Sequence, residues 1–350
     1  MCKIARAKKI MKPRLDIHFS VSQRLRFVFG KPYEPTDDEF LLNHNRSAIV
    51  LALKALHLGD KAGIGTMAYN CHTLMNAIEQ SGCQPVFVDV NDDLTINMED
   101  LQRKISQIST LIVTHLFGIV NNVQAIKEEF PNLIIIEDCA HAYGIKHLYG
   151  DFAAFSTGQG KFPSIGDGGV LLVRNELYKS RVISLYDDLP EYSRLQSAML
   201  FLKMLMQSWL NSRLVYSWLT LPLKQRRSVV SGKEVILPKK MCKGIRAIYS
   251  EEIGHVPQNI ARRVENVEKL KMQTVLKDNA IQSLVGINAF MLVIRCQYPE
   301  RLQKKLRALG LDSATHFSNA LVWAKEFGYC SGDCPNTEKM INQLLMIPTY

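Results

Sequence analysis

Three features that would assign this chain to a class at once are missing from its 350 residues. The eight cysteines have none of the spacings typical of zinc sites or thioredoxin-like redox pairs, and we predict no metal site. No low-complexity tract interrupts the chain, and no signal peptide is recognised at its start, so we expect a cytoplasmic protein. What remains is an ordinary globular composition, 47% hydrophobic, which can bury a large core in two domains.

The sequence has fewer acidic than basic residues. Lysine and arginine number 43 against 33 aspartate and glutamate, and the formal net charge is +10 at pH 7. Such a balance suits nucleic acid, a membrane surface or an anionic metabolite equally well. Part of the excess lies in the first fourteen residues, and we predict a basic arm over residues 1–30. No zinc finger, RNA-binding signature or basic helix is present, so we predict no nucleic-acid partner.

Short apolar runs alternate with helical patterns between about residues 45 and 175, which is typical of βαβ units and a mostly parallel sheet. The predicted strands are 85–90, 110–114, 133–137, 152–156 and 169–173, and the predicted helices are 47–56, 72–80, 98–108 and 122–129. We assign these elements to a large α/β domain over residues 31–235. A smaller α+β domain over 236–350 is predicted from helices at 257–276, 299–309 and 337–346 and a strand at 289–294.

The segment 195–223 is long and apolar but contains Lys203 and Arg213 among other polar residues. A spanning helix needs roughly 20 mostly uncharged apolar residues, so we do not predict a transmembrane span. Two interpretations stay open. The favoured one is a helix buried in the core or in a dimer interface. The other is a helix lying in a membrane surface, helped by the basic residues at 224, 226 and 227.

Two carboxylates, Glu137 and Asp138, follow the apolar run 133–136 directly. They are therefore expected at the carboxyl end of a buried strand, which is where open parallel sheets bind ligands. A single aspartate in this position can equally be a structural cap for the next helix.

Lys161 follows another short strand, in a loop with Gly158 and Gly160 that could approach a ligand closely. A lone loop lysine is usually a solvated charge. Hydroxyl groups at Ser156 and Thr157 accompany this one, and a lysine shielded from water near other positive groups loses its proton readily and becomes a nucleophile.

The third candidate is the start of a helix at Asn45-Arg46-Ser47-Ala48, with Asn45 as the expected N-cap. Free backbone N–H groups and the helix dipole make such an end a natural phosphate site. A plain helix cap explains the same four residues.

Taken in order, these segments resemble the DegT/DnrJ/EryC1/StrS sugar aminotransferase family. The similar stretches are 45–53, 69–78, 82–90, 114–118, 137–144, 150–152, 155–161 and 166–171, with weaker similarity at 263–276, 290–294, 309–310, 334–335 and 345–348. The resemblance implies fold type I of the pyridoxal-5'-phosphate (PLP) enzymes and a homodimer that builds its site at the subunit interface.

The resemblance also implies roles for individual residues. Lys161 would carry the cofactor covalently, Asp138 would pair with its pyridine nitrogen, and His141 would lie near its ring hydroxyl. Ser156 and the backbone at Ser47 would hold the phosphate. Arg46 is a further cofactor-binding candidate.

Two positions depart from the family pattern. Cys71 stands where the family often has an aromatic residue stacked on the cofactor ring, and we assign Cys71 to the cofactor site. The asparagine that reaches the phosphate from the neighbouring subunit should fall near residues 244–248, where Arg246 is present instead.

The implied activity is transfer of an amino group, from glutamate as the expected donor, to a nucleotide-linked keto sugar for surface polysaccharides or secondary metabolites. The alternative is a catalytically silent homologue with a binding or regulatory role. A sugar dehydratase is a third option, against which Lys161 counts because that branch typically has histidine there. Membrane docking through 195–223 is compatible with the enzyme and with the silent homologue. His115 and Phe117 either line the pocket or only pack.

Overall fold

The computed structural model describes residues 10–224, 232–277 and 281–350. The described strands are β1 (Glu39–Leu42), β2 (Gly63–Met67), β3 (Gln84–Val88), β4 (Thr110–Thr114), β5 (Ile134–Cys139), β6 (Phe152–Ser156), β7 (Gly169–Val173), β8 (Gln282–Val285), β9 (Met291–Arg295) and β10 (Leu344–Pro348).

The described α-helices are α1 (Val21–Phe29), α2 (Asn45–Ala55), α3 (His72–Gln80), α4 (Met98–Lys104), α5 (Val123–Glu129), α6 (Lys179–Asp187), α7 (Arg194–Leu210), α8 (Arg213–Val215), α9 (Leu221–Lys224), α10 (Lys243–Gly254), α11 (Val256–Lys271), α12 (Pro299–Ala308), α13 (Ala320–Lys325) and α14 (Pro335–Met340). A π-helical turn, Tyr216–Thr220, joins α8 to α9.

Seven strands form the large sheet in the order β1-β7-β6-β5-β4-β2-β3. Strands β2 to β6 are parallel to one another, whereas β7 is antiparallel to both β6 and β1. Strands β2, β4, β5 and β6 are buried on both faces, as expected for a sheet covered by helices. Helix α2 is buried along almost its whole length against this sheet. The predicted fold class, α/β with a mostly parallel sheet, is confirmed.

The later part of the chain forms an antiparallel sheet in the order β10-β9-β8 with helices packed against it. The predicted helix over 337–346 is wrong in its second half. Helix α14 ends at Met340, and 344–348 is strand β10, fully buried and paired with β9. A short apolar run fits a buried strand as well as a helix, and only the pairing with β9 decides between them. The predicted domain boundaries stay a prediction.

Part of the predicted basic arm is folded. Helix α1 starts with a capping box between Ser20 and Gln23. Phe19 is 1% exposed, and Phe27 packs on Phe201 with ring centroids 5.3 Å apart. The basic residues of the first nine positions lie outside the described residues.

The segment 195–223 is helical, as predicted, but it is not enclosed in the core of the chain. Helix α7 buries Leu200 and Met204, while Leu195, Leu202 and Trp209 are 71%, 63% and 58% exposed. A core helix is therefore excluded, and the interface alternatives stay open. Across the described ranges, no helix is both long and apolar enough to cross a bilayer.

Strand β2, which the sequence pattern did not predict, depends on a close backbone approach at its first residue. A Cβ atom on Gly63 would lie 1.9 Å from the backbone oxygen of Gln107. We expect Gly63→Ala to lower the free energy of unfolding by about 1–3 kcal/mol, because the backbone must shift to relieve the overlap. Thermal unfolding followed by circular dichroism measures this.

Gly59→Ala is the matched control, because a Cβ atom there meets nothing within 4 Å. Equal melting temperatures for the two variants would contradict the packing argument.

Candidate active site

A cavity of about 320 Å³ opens at the carboxyl edge of the large sheet. Thr114, Asp138 and Ser156, at or near the ends of β4, β5 and β6, lie on its wall beside the first turn of α2. This is the edge where doubly wound sheets bind ligands, because the loops there diverge and leave a crevice.

The Asp138 carboxylate is held in place by three donors. Its Oδ1 accepts from Nδ2 of Asn45 at 2.7 Å and from the backbone N–H of Ala140 at 3.1 Å. Its Oδ2 accepts from the hydroxyl of Thr114 at 3.2 Å, and that hydroxyl accepts in turn from Nδ2 of Asn70 at 2.8 Å. Three donors around one carboxylate fix its orientation.

Lys161 and His141 are in direct contact, with Nζ and Nε2 2.8 Å apart. The Nδ1 atom of His141 accepts from the backbone N–H of Phe117 at 3.2 Å, so the neutral ring carries its hydrogen on Nε2 and donates it toward the lysine amine. Burial lowers the pKa of Lys161, although Cys71 and Asp138 act in the opposite direction. Burial, with Lys161 and His316 nearby, holds the pKa of His141 well below its ordinary value. A neutral amine is the reactive form of lysine.

Three phenylalanines hold the His141 ring. Its centroid lies 5.3 Å from Phe117, 4.9 Å from Phe290 and 6.0 Å from Phe317, with interplanar angles of 21°, 24° and 16°. Phe290 and Phe317 come from the C-terminal part of the chain, so the site is assembled from both halves. Sequence analysis missed them because no local pattern connects them to residue 141.

Cys71 lines the same cavity, close to His72 and Thr73. Its Sγ lies 3.8 Å from Nδ1 of His72 and accepts from the hydroxyl of Thr73 at 3.3 Å. Burial alone would raise the pKa of the Cys71 thiol, but the interactions with His72 and Thr73 lower it overall. The pKa of His72 is raised by the same contact.

The first turn of α2 differs from the predicted cap. His44 is the N-cap residue and Asn45 is already helical, because the Asn45 side chain donates to Asp138 instead of capping the helix. Arg46 lies on the cavity wall, with Nε 3.5 Å from a carboxylate oxygen of Glu234. Ser47 lies deeper in the helix, and its backbone N–H donates to the oxygen of His44 at 3.1 Å.

A second polar cluster on the cavity wall was not anticipated. Nδ1 of His44 lies 3.2 Å from Oδ1 of Asp167, and Oδ2 of Asp167 accepts from the hydroxyl of Tyr192 at 3.0 Å. Lys203 of α7 completes this side of the cavity. His115 and Phe117, by contrast, are fully buried, and Nε2 of His115 pairs with Glu137 at 3.0 Å. They pack behind the site, although Phe117 also stacks on His141.

The cavity has the donors and acceptors that a phosphorylated pyridine aldehyde requires. It contains a desolvated lysine, a fixed carboxylate and a helix N-terminus, the last of which favours phosphate. Within the described part of the chain, Oδ1 of Asn45 and the hydroxyl of Ser47 are buried with no hydrogen-bond partner. Ser156 also lines the cavity. A sheet of this topology, with lysine and aspartate at its carboxyl edge, is the arrangement that the resemblance to fold type I of the PLP-dependent enzymes implies.

Comparisons with known proteins agree with this class. Residues 42–194 match the model of the DegT/DnrJ/EryC1/StrS aminotransferase family. An uncharacterised protein of Methanocaldococcus jannaschii is 25% identical over 88% of this chain and 80% of its own length. GDP-perosamine synthase of Escherichia coli O157:H7 is 31% identical over 39% of this chain and 40% of its own length. Such partial coverage, about two fifths of the relative, recurs among other curated sugar transaminases.

The fold extends beyond the matched segment. Sugar aminotransferase CalS13 of Micromonospora echinospora superimposes with a TM-score of 0.70, covering 97% of this chain and 95% of its own, at 15% identity. At that identity the likeness shows the fold alone.

Arg246 lies near the position where the family resemblance implies a contact from a neighbouring subunit. Arg246 does not reach the cavity, because its guanidinium donates to the backbone oxygen of Tyr33 at 2.7 Å and to Glu34 at 2.9 Å. Arg246 is therefore not a phosphate ligand within its own chain.

The environment of Cys71 predicts a reactive thiol. Because its pKa is lowered, the thiolate should be present at lower pH than for an ordinary cysteine, and the thiolate is the form that is alkylated. We expect iodoacetamide to modify Cys71 in the cofactor-free protein with a pH profile displaced to lower pH. Peptide mass spectrometry after timed quenching gives the rate at each pH.

His72→Ala should move this profile back toward higher pH, whereas alkylation of Cys330, an exposed thiol in the same chain, should be unaffected. A Cys71 profile identical in folded and urea-unfolded protein would show that the His72 contact has no influence.

Proposed function

We propose that this protein is a PLP-dependent aminotransferase that moves an amino group onto a keto sugar. The observation that carries the proposal is the contact of Lys161 with His141 at 2.8 Å in the same cavity as the fixed Asp138 carboxylate. The matched family segment contains all three residues.

Lys161 is the residue to hold the cofactor covalently and afterwards to move a proton as a general base. Its amine is desolvated, which favours the neutral form needed for both tasks. His141 orients this amine by donating from Nε2, and Phe117 fixes the histidine tautomer by donating to Nδ1. The bound cofactor supplies an electron-withdrawing ring that stabilises negative charge on the substrate carbon.

Asp138 is the residue to face the pyridine nitrogen. Because Asn45, Ala140 and Thr114 donate to its carboxylate, the charged form keeps one position during turnover. Arg46, the backbone at Ser47 and Ser156 are proposed to hold the phosphate side, and Cys71 to contact the ring, while the Ser47 side chain stays in the helix packing.

The acceptor is proposed to be a nucleotide-linked keto sugar, the donor an amino acid such as glutamate, and the working unit a homodimer. The support is the basic pair Arg46 and Lys203 on the cavity wall, which suits an anionic diphosphate, together with relatives whose names specify nucleotide sugars. The product is proposed to serve surface polysaccharides or secondary-metabolite sugars, and the name of one relative, a spore coat polysaccharide biosynthesis protein, supports the first of these roles.

The first test is the absorbance spectrum of the purified protein with added pyridoxal phosphate, before and after borohydride reduction. We expect a visible band that reduction removes, and a reduced adduct mapped to Lys161 by mass spectrometry. Lys161→Ala should abolish both, because no other amine contacts His141 among the described residues.

Lys269→Ala is the matched control, since Lys269 is exposed on α11 and pairs with Glu265. Wild type without band or adduct would exclude the enzyme and support the silent homologue. An adduct at Lys161 without amino transfer to any keto sugar would support a different reaction of the same site.

The second test distinguishes the role of the Asp138 carboxylate from that of Lys161. Asp138→Asn should retain the reducible adduct but lower the amino-transfer rate by about 100-fold or more, because a neutral amide cannot stabilise the ring charge. Stopped-flow absorbance with glutamate measures the rate. The exposed variant Asp37→Asn should match wild type, and an unchanged rate in Asp138→Asn would remove Asp138 from the mechanism.

A further inference from the structure

Helix α7 has two faces with different environments. Its inner face packs on the active-site loop, where Met204 lies against Gly166 and Gln207 pairs with Gln159. Its outer face exposes Leu195, Met199, Leu202, Met206 and Trp209, each between 55% and 71% accessible. Successive members are four, three, four and three residues apart, so they form one straight stripe along the helix.

The stripe continues onto neighbouring elements. Past the end of α7, Leu214 and Trp218 are 60% and 61% exposed. On the other side, Val28 of α1 lines a groove together with Leu202, and Leu25 and Phe29 of α1 are 56% and 80% exposed. We call the exposed apolar side chains of α1, α7 and the 214–218 turn the apolar face. Large exposed patches of this kind mark sites of interaction.

Charge distribution identifies the occupant of the apolar face. Between Glu191 and Glu234 the sequence has seven lysines and arginines and no aspartate or glutamate. The stretch between Asp16 and Glu34, which contains α1, likewise has basic residues and no acidic ones. Two acidic residues lie beside these stretches, since Glu191 lines the groove and Glu251 pairs with Arg26. Arg194, Lys203 and Arg213 have no carboxylate within ion-pair distance among the described residues. An anionic partner surface would balance this excess of positive charge.

A second copy of the chain meets this requirement poorly. In a two-fold pair joined through the apolar face, the segments 192–233 and 17–33 of one copy would face segments of the other that also contain basic and no acidic residues, and Glu191 at the groove would be the nearest carboxylate of α7. An anionic bilayer supplies the charge and also accepts tryptophan side chains at the headgroup level. The charged residues and limited length of α7 suit a helix lying in the membrane plane.

We propose that the apolar face docks this protein onto an anionic lipid bilayer, with α7 parallel to the membrane surface. Since Lys203 on the same helix lines the active-site cavity, docking would keep that cavity close to the membrane. The proposal does not depend on catalysis, because it rests on exposed side chains and charge alone.

The test is flotation of the full-length protein with vesicles of phosphatidylcholine containing about a quarter phosphatidylglycerol, compared with pure phosphatidylcholine. We expect flotation with the anionic vesicles, weaker binding as salt is raised, and a blue shift of tryptophan emission. Replacing Trp209 and Trp218 by phenylalanine should remove most of the shift, because Trp323 is the third and last tryptophan of the chain and lies on α13.

The double variant Leu202→Glu and Met206→Glu should lower vesicle partitioning by about tenfold or more. It replaces two apolar side chains that docking would bury in the bilayer by negative charges, which the anionic lipid repels. Leu177→Glu is the matched control, since Leu177 is 82% exposed outside the apolar face. Melting temperatures identify any variant that has lost its fold.

Sedimentation velocity without lipid measures the oligomeric state, and so distinguishes a bilayer from a second copy as the occupant of the apolar face. Loss of vesicle binding in the double variant with an unchanged oligomeric state supports the proposal. Absence of flotation at low salt, equal loss in Leu177→Glu, or dissociation of an oligomer by the double variant would overturn it. The last result would assign the apolar face to an interface between copies.

Discussion

The geometry of the site depends on one hydrogen bond, from the amide of Asn45 to Oδ1 of Asp138 at 2.7 Å. It joins the first residue of α2 to the end of β5, across the carboxyl edge of the sheet. The start of α2 is fixed from the other side as well, because Gly168 donates to the backbone oxygen of Asn43 at 2.8 Å. A charged acceptor and a helix N-terminus are thereby held at a set separation, which is what a rigid ligand with a cationic ring and an anionic arm requires.

Burial changes the protonation of the side chains that this geometry brings together. His141 is enclosed by Phe117, Phe290 and Phe317, and desolvation lowers the pKa of both His141 and Lys161. The pKa of His316, beside them, falls to about 3 for the same reason. Phe290 and Phe317, from the C-terminal part, contribute to this shielding from water even though the family match ends at residue 194. The C-terminal part of the chain therefore completes an active site that the matched segment only begins.

Sequence patterns predicted the buried strands of the large sheet well, because continuous apolar runs at β4, β6 and β7 have no competing helical period. Strand β2 was missed because Gly63 and Gly65 weaken its pattern, and its formation depends on contacts with β3 and β4.

The residues of the site could be predicted from their places at the ends of strands and helices. Asp138, Lys161, His141, Cys71, Ser156 and Arg46 line one cavity, as their places at strand and helix ends suggested, whereas Ser47 is turned into the helix packing. The partners of these residues could not be predicted. Asn45 and Asp138 are 93 positions apart, and only the folded sheet brings them together.

Helix α7 connects the site to the molecular surface. A helix that only closed the cavity would need one apolar side, facing Gly166 and the loop around Gln159. The exposed outer side of α7 is as apolar as the inner one, and the segment between Glu191 and Glu234 contains basic residues but no acidic ones. Exposed apolar area costs solubility, and an excess of one charge costs stability through self-repulsion. An anionic apolar surface covering that side would offset both costs, so the proposed docking and the shape of the cavity depend on the same helix.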